Sequence, residues 1–258
     1  LNDTYDQAVI LPPYNNLWVQ VVRRGDPPQI VTAGLTAEFA LENNTYSYGK
    51  REYGGFWDNA ADIFRFIPGF APPARDIGLT GTGLSGRMDA APGHFIAEGI
   101  PVTPVYDSSE WDAYQTALIT VRNADGDIVA VTRATVPVSD EMNCSKCHTE
   151  EAWADVIAQH DRLHGTALAD SVPFLCASCH GSPALGTVGP GSAGIYLSQA
   201  IHGSHSTRLA SCYDCHPGLN SKCMRSERHT AADGNCEACH GDLARVASSS
   251  SAKSASVS

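Results

Sequence analysis

The chain has 258 residues, a formal net charge of −11 and nine cysteines. Its acidic excess excludes nucleic acid and anionic lipid as partners. No apolar run approaches the roughly 18 residues that a membrane span needs, and the chain opens at Leu1 with no basic-then-apolar leader, which reads as a leader already removed.

Residues 1 to about 138 carry strand patterns. Leu17–Val22 and Leu35–Leu41 run apolar or alternate over strand lengths. Thr116–Arg122 and Asp127–Arg133 flank Asn123-Ala-Asp-Gly126, and the Asp125-Gly126 pair predicts the positive φ angles of a tight hairpin. Breaker-rich stretches such as Ile67–Pro73 separate the strands and argue against long helices there. The pattern predicts a two-sheet sandwich of short strands. Past Val136-Pro137 the texture changes to short helical pieces between Gly/Pro/Ser loops, with Trp153–His160 the best helix. Residues 140–245 hold few large apolar side chains, so this segment needs help to form a core.

All nine cysteines lie in this second half. Eight form four copies of one motif: Cys144-Ser-Lys-Cys147-His148, Cys176-Ala-Ser-Cys179-His180, Cys212-Tyr-Asp-Cys215-His216 and Cys236-Glu-Ala-Cys239-His240. C-x-x-C-H is the attachment signature of c-type haem. Two cysteines three positions apart share one side of a helical turn, where each can form a thioether, and the next histidine can bind the iron. Zinc or a thioredoxin-like pair is the competing reading. Neither requires histidine directly after every second cysteine. The motifs predict four haem c groups, with His148, His180, His216 and His240 as proximal ligands. Thioether attachment of this kind implies assembly after export.

Six further histidines stand outside the motifs. His160 and His164 are spaced i, i+4, and His202 and His205 i, i+3, so each pair shares a helix face. These four are the candidate distal ligands, each pair serving two different irons. His229 is a reserve. His94, in the β-rich half, reads first as a structural residue and second as a ligand to a neighbouring molecule's iron. Methionine is scarce: Met142 lies too near Cys144 to reach over that iron, and only Met88 and Met224 remain. Closed, six-coordinate irons exchange electrons without binding substrate. Cys223, the ninth cysteine, reads as a buried residue. Asn2-Asp-Thr4 and Asn43-Asn-Thr45 match a common glycosylation pattern that carries little weight.

The runs HDRLHGT, CASCHGSPAL, LSQAIHGSH, CYDCHPG and CEACHGD, with the lead-in TRATVPVSDEMNCSKCH, resemble multihaem c-type cytochromes exported by metal-reducing microbes. The resemblance covers about residues 90–245. One subset, the tetrahaem extracellular cytochromes, polymerises into filaments. The resemblance implies that His160, His164, His202 and His205 are the distal ligands and that other copies of the chain are partners.

The expected organisation is an N-terminal β-sandwich-like domain (1–138), a mostly irregular or α tetrahaem cytochrome c domain with little strand (139–246), and a Ser-rich tail (247–258). The tail has linker composition, and order in it would call for a partner, a neighbouring subunit of an open filament ahead of its own domain. The expected function is extracellular or cell-surface electron transfer through four bis-histidine haems, as a subunit of a polymeric cytochrome filament, with redox proteins or extracellular acceptors at either end. A periplasmic carrier is the alternative location. A redox enzyme with one open haem is the alternative function. A third reading makes the β-half a module for binding mineral, polysaccharide or a cell-surface partner.

Overall fold

The computed structural model describes residues 5–10, 12–50, 54–65, 67, 69–138, 144, 147, 148, 151–182, 185, 187–208, 210–215, 237 and 240–253. The N-terminal half supplies β1 (Ala8–Val9), β2 (Asn15–Val19), β3 (Val22–Arg23), β4 (Gln29–Ile30), β5 (Leu35–Leu41), α1 (Gly54–Ile63), β6 (Ser85–Arg87), β7 (Asp89–Ala91), β8 (His94–Ile100), β9 (Tyr114–Asn123) and β10 (Ile128–Pro137). The rest supplies α2 (Ala152–His164), β11 (Phe174–Leu175), α3 (Leu197–His205) and α4 (Leu243–Lys253), with short 3₁₀ turns at Leu168–Ser171, Cys176–Ser178 and Cys212–Asp214.

Four small sheets result. The largest runs β10-β9-β5-β6, a second runs β2-β8-β7, and β3-β4 and β1-β11 form two-stranded pairs. Period-two burial explains the long strands: in β5, Ala37, Phe39 and Leu41 face the core, and in β9 Ala117, Ile119 and Val121 do. The β9–β10 hairpin forms where expected. Gly126 takes φ 89°, and Asn123 Oδ1 accepts from the backbone N–H groups of Asp125 at 3.0 Å and Asp127 at 2.8 Å. Only the glycine of the Asp-Gly pair adopts positive φ.

The fold expectation needs correction. In place of a two-sheet sandwich followed by a strand-poor cytochrome domain, the described chain has many strands in several small sheets and no closed barrel. Two physical causes are visible. Several strands last only two or three residues, too short to build broad facing sheets. The N-terminal half also contains α1, whose Phe56, Trp57, Ala60 and Ile63 recur at helical spacing and are buried. Gly54-Gly55 at its start hides it from a propensity reading.

The later segment does not fold around its motifs alone. Its β11 pairs in parallel with β1, matching Ala8 with Phe174 and Val9 with Leu175. Leu175, Ala177 and Leu197 join the same hydrophobic core as Phe39, Phe56, Phe95 and Ile119. Arg65, after α1, donates to the carbonyls of Pro173 at 2.7 Å and of Ser171. Apolar burial of this kind contributes about 1.5–3 kcal/mol for each large side chain.

Much of the Ser-rich tail is helical. Asp242 Oδ1 accepts from the backbone N–H of Arg245 at 2.8 Å near the start of α4. Ala247 is buried, and at Gly203 of α3 an added Cβ would rest 3.8 Å from the Ala247 Cβ. The described part of the tail thus packs on its own chain, where the sequence reading favoured a neighbouring subunit. Among the described residues no helix is long and apolar enough to cross a membrane.

Candidate functional site

Three of the four motifs are described at their first turn. The carbonyl of the first cysteine accepts from the N–H of the second: Cys147 to Cys144 at 3.2 Å, Cys179 to Cys176 at 3.3 Å and Cys215 to Cys212 at 3.3 Å. In the first two motifs the histidine N–H donates to the same carbonyl, His148 to Cys144 at 2.9 Å and His180 to Cys176 at 3.0 Å. One turn thus carries both thiols and the imidazole, as the spacing predicts. Asp214 closes the third turn, accepting from the Ser211 N–H at 2.7 Å. For the fourth motif, the Gly241 N–H donates to the Glu237 carbonyl at 2.9 Å, and His240 is described. Cys236, Cys239, His216, His229 and Cys223 lie outside the described residues, as do Met142, Met224 and the Asn2 sequon.

Cys144, Cys147, Cys176 and Cys179 are free thiols. Burial pushes the Cys176 thiol up to about 12. Burial also raises Cys144, with Cys215 adding to the effect. Cys144 interacts electrostatically with Cys215 and with Cys176, so the first motif lies near the third and near the second.

The imidazoles share one feature. His148 Nδ1 meets Asp155 Oδ2 at 2.7 Å, and His180 Nδ1 meets the Ile195 carbonyl at 3.1 Å. His202 and His205 Nδ1 meet the carbonyls of Ser198 and Ile201, both at 2.7 Å. His160 Nδ1 lies 2.9 Å from Thr166 Oγ1, whose hydroxyl is already donated to Asp161 Oδ1 at 2.6 Å. In all five cases the partner atom accepts, so Nδ1 is the donating nitrogen. An outer partner that fixes the tautomer is the usual support of a metal-binding histidine.

Helix α2 brings His160 and His164 to one face, with ring centroids 4.8 Å apart. The His160 ring also stands 6.3 Å from that of His180, nearly perpendicular at 87°. Desolvation lowers the His160 pKa first, and His164 and His180 lower it further. The i, i+4 reading of His160 and His164 therefore gains a specific third member. His202 and His205 sit together on α3. His94 does not join these groups. It stacks on Trp18 at 4.6 Å and 19°, and its Nδ1 lies 3.1 Å from the Pro92 carbonyl.

Sequence reasoning missed the outer partners. Asp155 and Thr166 could have been sought as acceptors near each histidine, but the Ile195 carbonyl leaves no trace in residue type. Gly165, at φ 65° in the left-handed cap that ends α2, turns the chain so that Thr166 can meet His160.

The expectation of four haem c groups is corrected. Among the described residues there is no group of three or more His, Cys, Asp and Glu side chains arranged to hold a metal ion, and nothing in these findings supports haem as the group bound. What stands is the motif turn and the imidazole arrangement. Comparisons with protein-family models, with curated proteins and with solved structures find no match to this chain.

Proposed function

We propose that this chain is an exported electron-transfer protein, with its redox groups carried covalently on the thiols of the C-x-x-C-H turns and their metals bound by histidine. The observation that carries the reading is the His160–His180 pair: two imidazoles 6.3 Å apart, each with its Nδ1 proton already committed. His160 and His180 are the residues that would hold a metal between them, and it would supply one-electron chemistry; ligation by both histidines would leave no place for a substrate, which favours a carrier over a redox enzyme.

The residues proposed to hold these groups are Cys144, Cys147, Cys176, Cys179, Cys212, Cys215, Cys236 and Cys239 through sulfur. His148, His180, His216 and His240 supply one nitrogen each, and His160, His164, His202 and His205 the second. Redox proteins or extracellular acceptors are the partners of this reading, and assembly with further copies extends it.

Spectroelectrochemical titration of the protein purified from its natural source tests it. Reversible absorbance changes, with midpoint potentials that repeat in both directions, are expected. A protein with no reversible couple is not an electron carrier of this kind. A pyridine haemochrome spectrum of the same sample identifies or rules out haem.

A further inference from the structure

The three-stranded sheet β2-β8-β7 turns one face to the core and leaves the other open. Leu17 and Val19 of β2 and Phe95 and Ala97 of β8 are buried, so the alternate residues Asn16, Trp18, His94, Ile96 and Glu98 line the outer face. There Trp18 is 56% exposed and stacks on His94, with ring centroids 4.6 Å apart and 19° between the planes. We propose that this face is a binding site for a neutral polysaccharide, with Trp18 as its stacking platform. The inference does not rest on the electron-transfer reading above.

The platform is held in place before any ligand arrives, which lowers the ordering cost of binding. His94 Nδ1 donates to the Pro92 carbonyl at 3.1 Å, and Gln20 Nε2 donates to the Gly93 carbonyl at 3.3 Å, fixing the turn between β7 and β8 beside the imidazole. The stacked imidazole in turn limits rotation of the indole. Asn16 Oδ1 accepts from the Gly99 N–H at 2.9 Å. Burial and the Glu98 carboxylate raise the Tyr14 pKa, and a hydrogen bond from Asn16 opposes them. An amide, a carboxylate and a phenol therefore gather around Asn16, on the same strand as Trp18.

The chemistry of the face selects the occupant. A pyranose ring has an apolar side of C–H groups, which packs on the electron-rich face of an indole. It also has a rim of hydroxyls, which donate to carboxylates and exchange hydrogen bonds with amides. Two exposed acids stand on this face: Glu98, and Asp89 of β7, which pairs with Ile96. Strands β2, β7 and β8 contain no Lys or Arg. The face therefore repels an acidic polymer and accepts a neutral one. An open sheet face covers little of a small molecule, which favours a chain whose successive sugars reach Trp18, Asn16 and Glu98 together.

The test is affinity electrophoresis of the full, natively prepared protein through gels that hold hydroxyethyl cellulose, laminarin or dextran, with alginate as the acidic control. Retardation by at least one neutral polymer, and none by alginate, is expected. Trp18→Ala should weaken that binding about tenfold through loss of the stacking contact, and Trp18→Phe should retain part of it. Both variants should melt with the wild type, because the side chain is exposed. If no neutral polymer retards the wild type, if alginate retards it equally, or if Trp18→Ala is retarded as strongly as the wild type, the proposal is overturned.

Discussion

His160, near the end of α2, faces His180, the last residue of the second C-x-x-C-H turn, across 6.3 Å and at 87°. The pair joins two elements that are twenty residues apart in sequence. On the electron-transfer reading, removing one member would leave a metal held by the other with an open position. His160→Ala is expected to create carbon monoxide binding at one site per molecule, seen in a difference spectrum of the reduced protein. No new binding in this variant would remove His160 from the ligand set.

The second motif is wrapped by its own following loop. The Gly181 N–H donates to the Pro190 carbonyl at 3.0 Å, and the Ala193 N–H to the Cys179 carbonyl at 2.9 Å. A Cβ on Gly181 would run into the Gly189 carbonyl, whereas Gly189 itself has open space despite a φ of 80°. Gly181→Ala should cost about 2 kcal/mol or more through this backbone clash, and Gly189→Ala about 1 kcal/mol through strain alone. Thermal melts of the two variants check the order. Equal losses would contradict the close approach.

Lys50 is a buried cation with three acceptors: Asn44 Oδ1 at 2.7 Å, the Val105 carbonyl at 2.8 Å and Asp107 Oδ1 at 2.8 Å. Burial works to raise the Asp107 pKa, but hydrogen bonds from Lys50 and Thr45 outweigh it and hold the carboxyl below its ordinary 3.8. The unfolded chain therefore takes up this proton at higher pH than the folded one. The stabilisation is fully present above pH 3.8 and is lost as the pH falls through the lower folded value. Asp107 is 31% exposed, so Asp107→Asn should cost about 1–3 kcal/mol near neutral pH, less than a fully buried pair would. The difference in melting temperature between wild type and variant should narrow below pH 3.8. A difference that stays constant down to pH 2 would contradict the linkage.

The tail gives a further prediction. Helix α4 covers the Gly203 side of α3, between His202 and His205. Deleting residues 243–258 should speed hydrogen exchange across 197–205 and leave the β9–β10 hairpin protected. Unchanged exchange in α3 would mean that α4 contributes nothing there.

The parts legible in the sequence were those set by local spacing. Strand β5, the β9–β10 hairpin and helix α2 follow from periodicity and turn chemistry, and the C-x-x-C-H turns follow from their own residue order. What escaped depends on distant contacts. Pairing of Ala8-Val9 with Phe174-Leu175 joins segments of two residues, too short for any periodic signal. Helix α1 was hidden by its opening glycines, and the tail's serines read as linker because the smooth surface at Gly203 and Ala247 emerges only when two helices meet. The histidine pairs were visible, but His180 as the residue facing His160 was not, because their approach depends on how α2 returns over the second motif.

The most direct measurement is peptide mass mapping of the protein from its natural source after full denaturation and treatment with a thiol-alkylating reagent. The account predicts that the peptides holding Cys144-Cys147, Cys176-Cys179, Cys212-Cys215 and Cys236-Cys239 each carry a covalent group through both sulfurs and take up no reagent, while Cys223 remains open to it. Eight alkylated motif cysteines and four unmodified peptide masses would contradict the central claim.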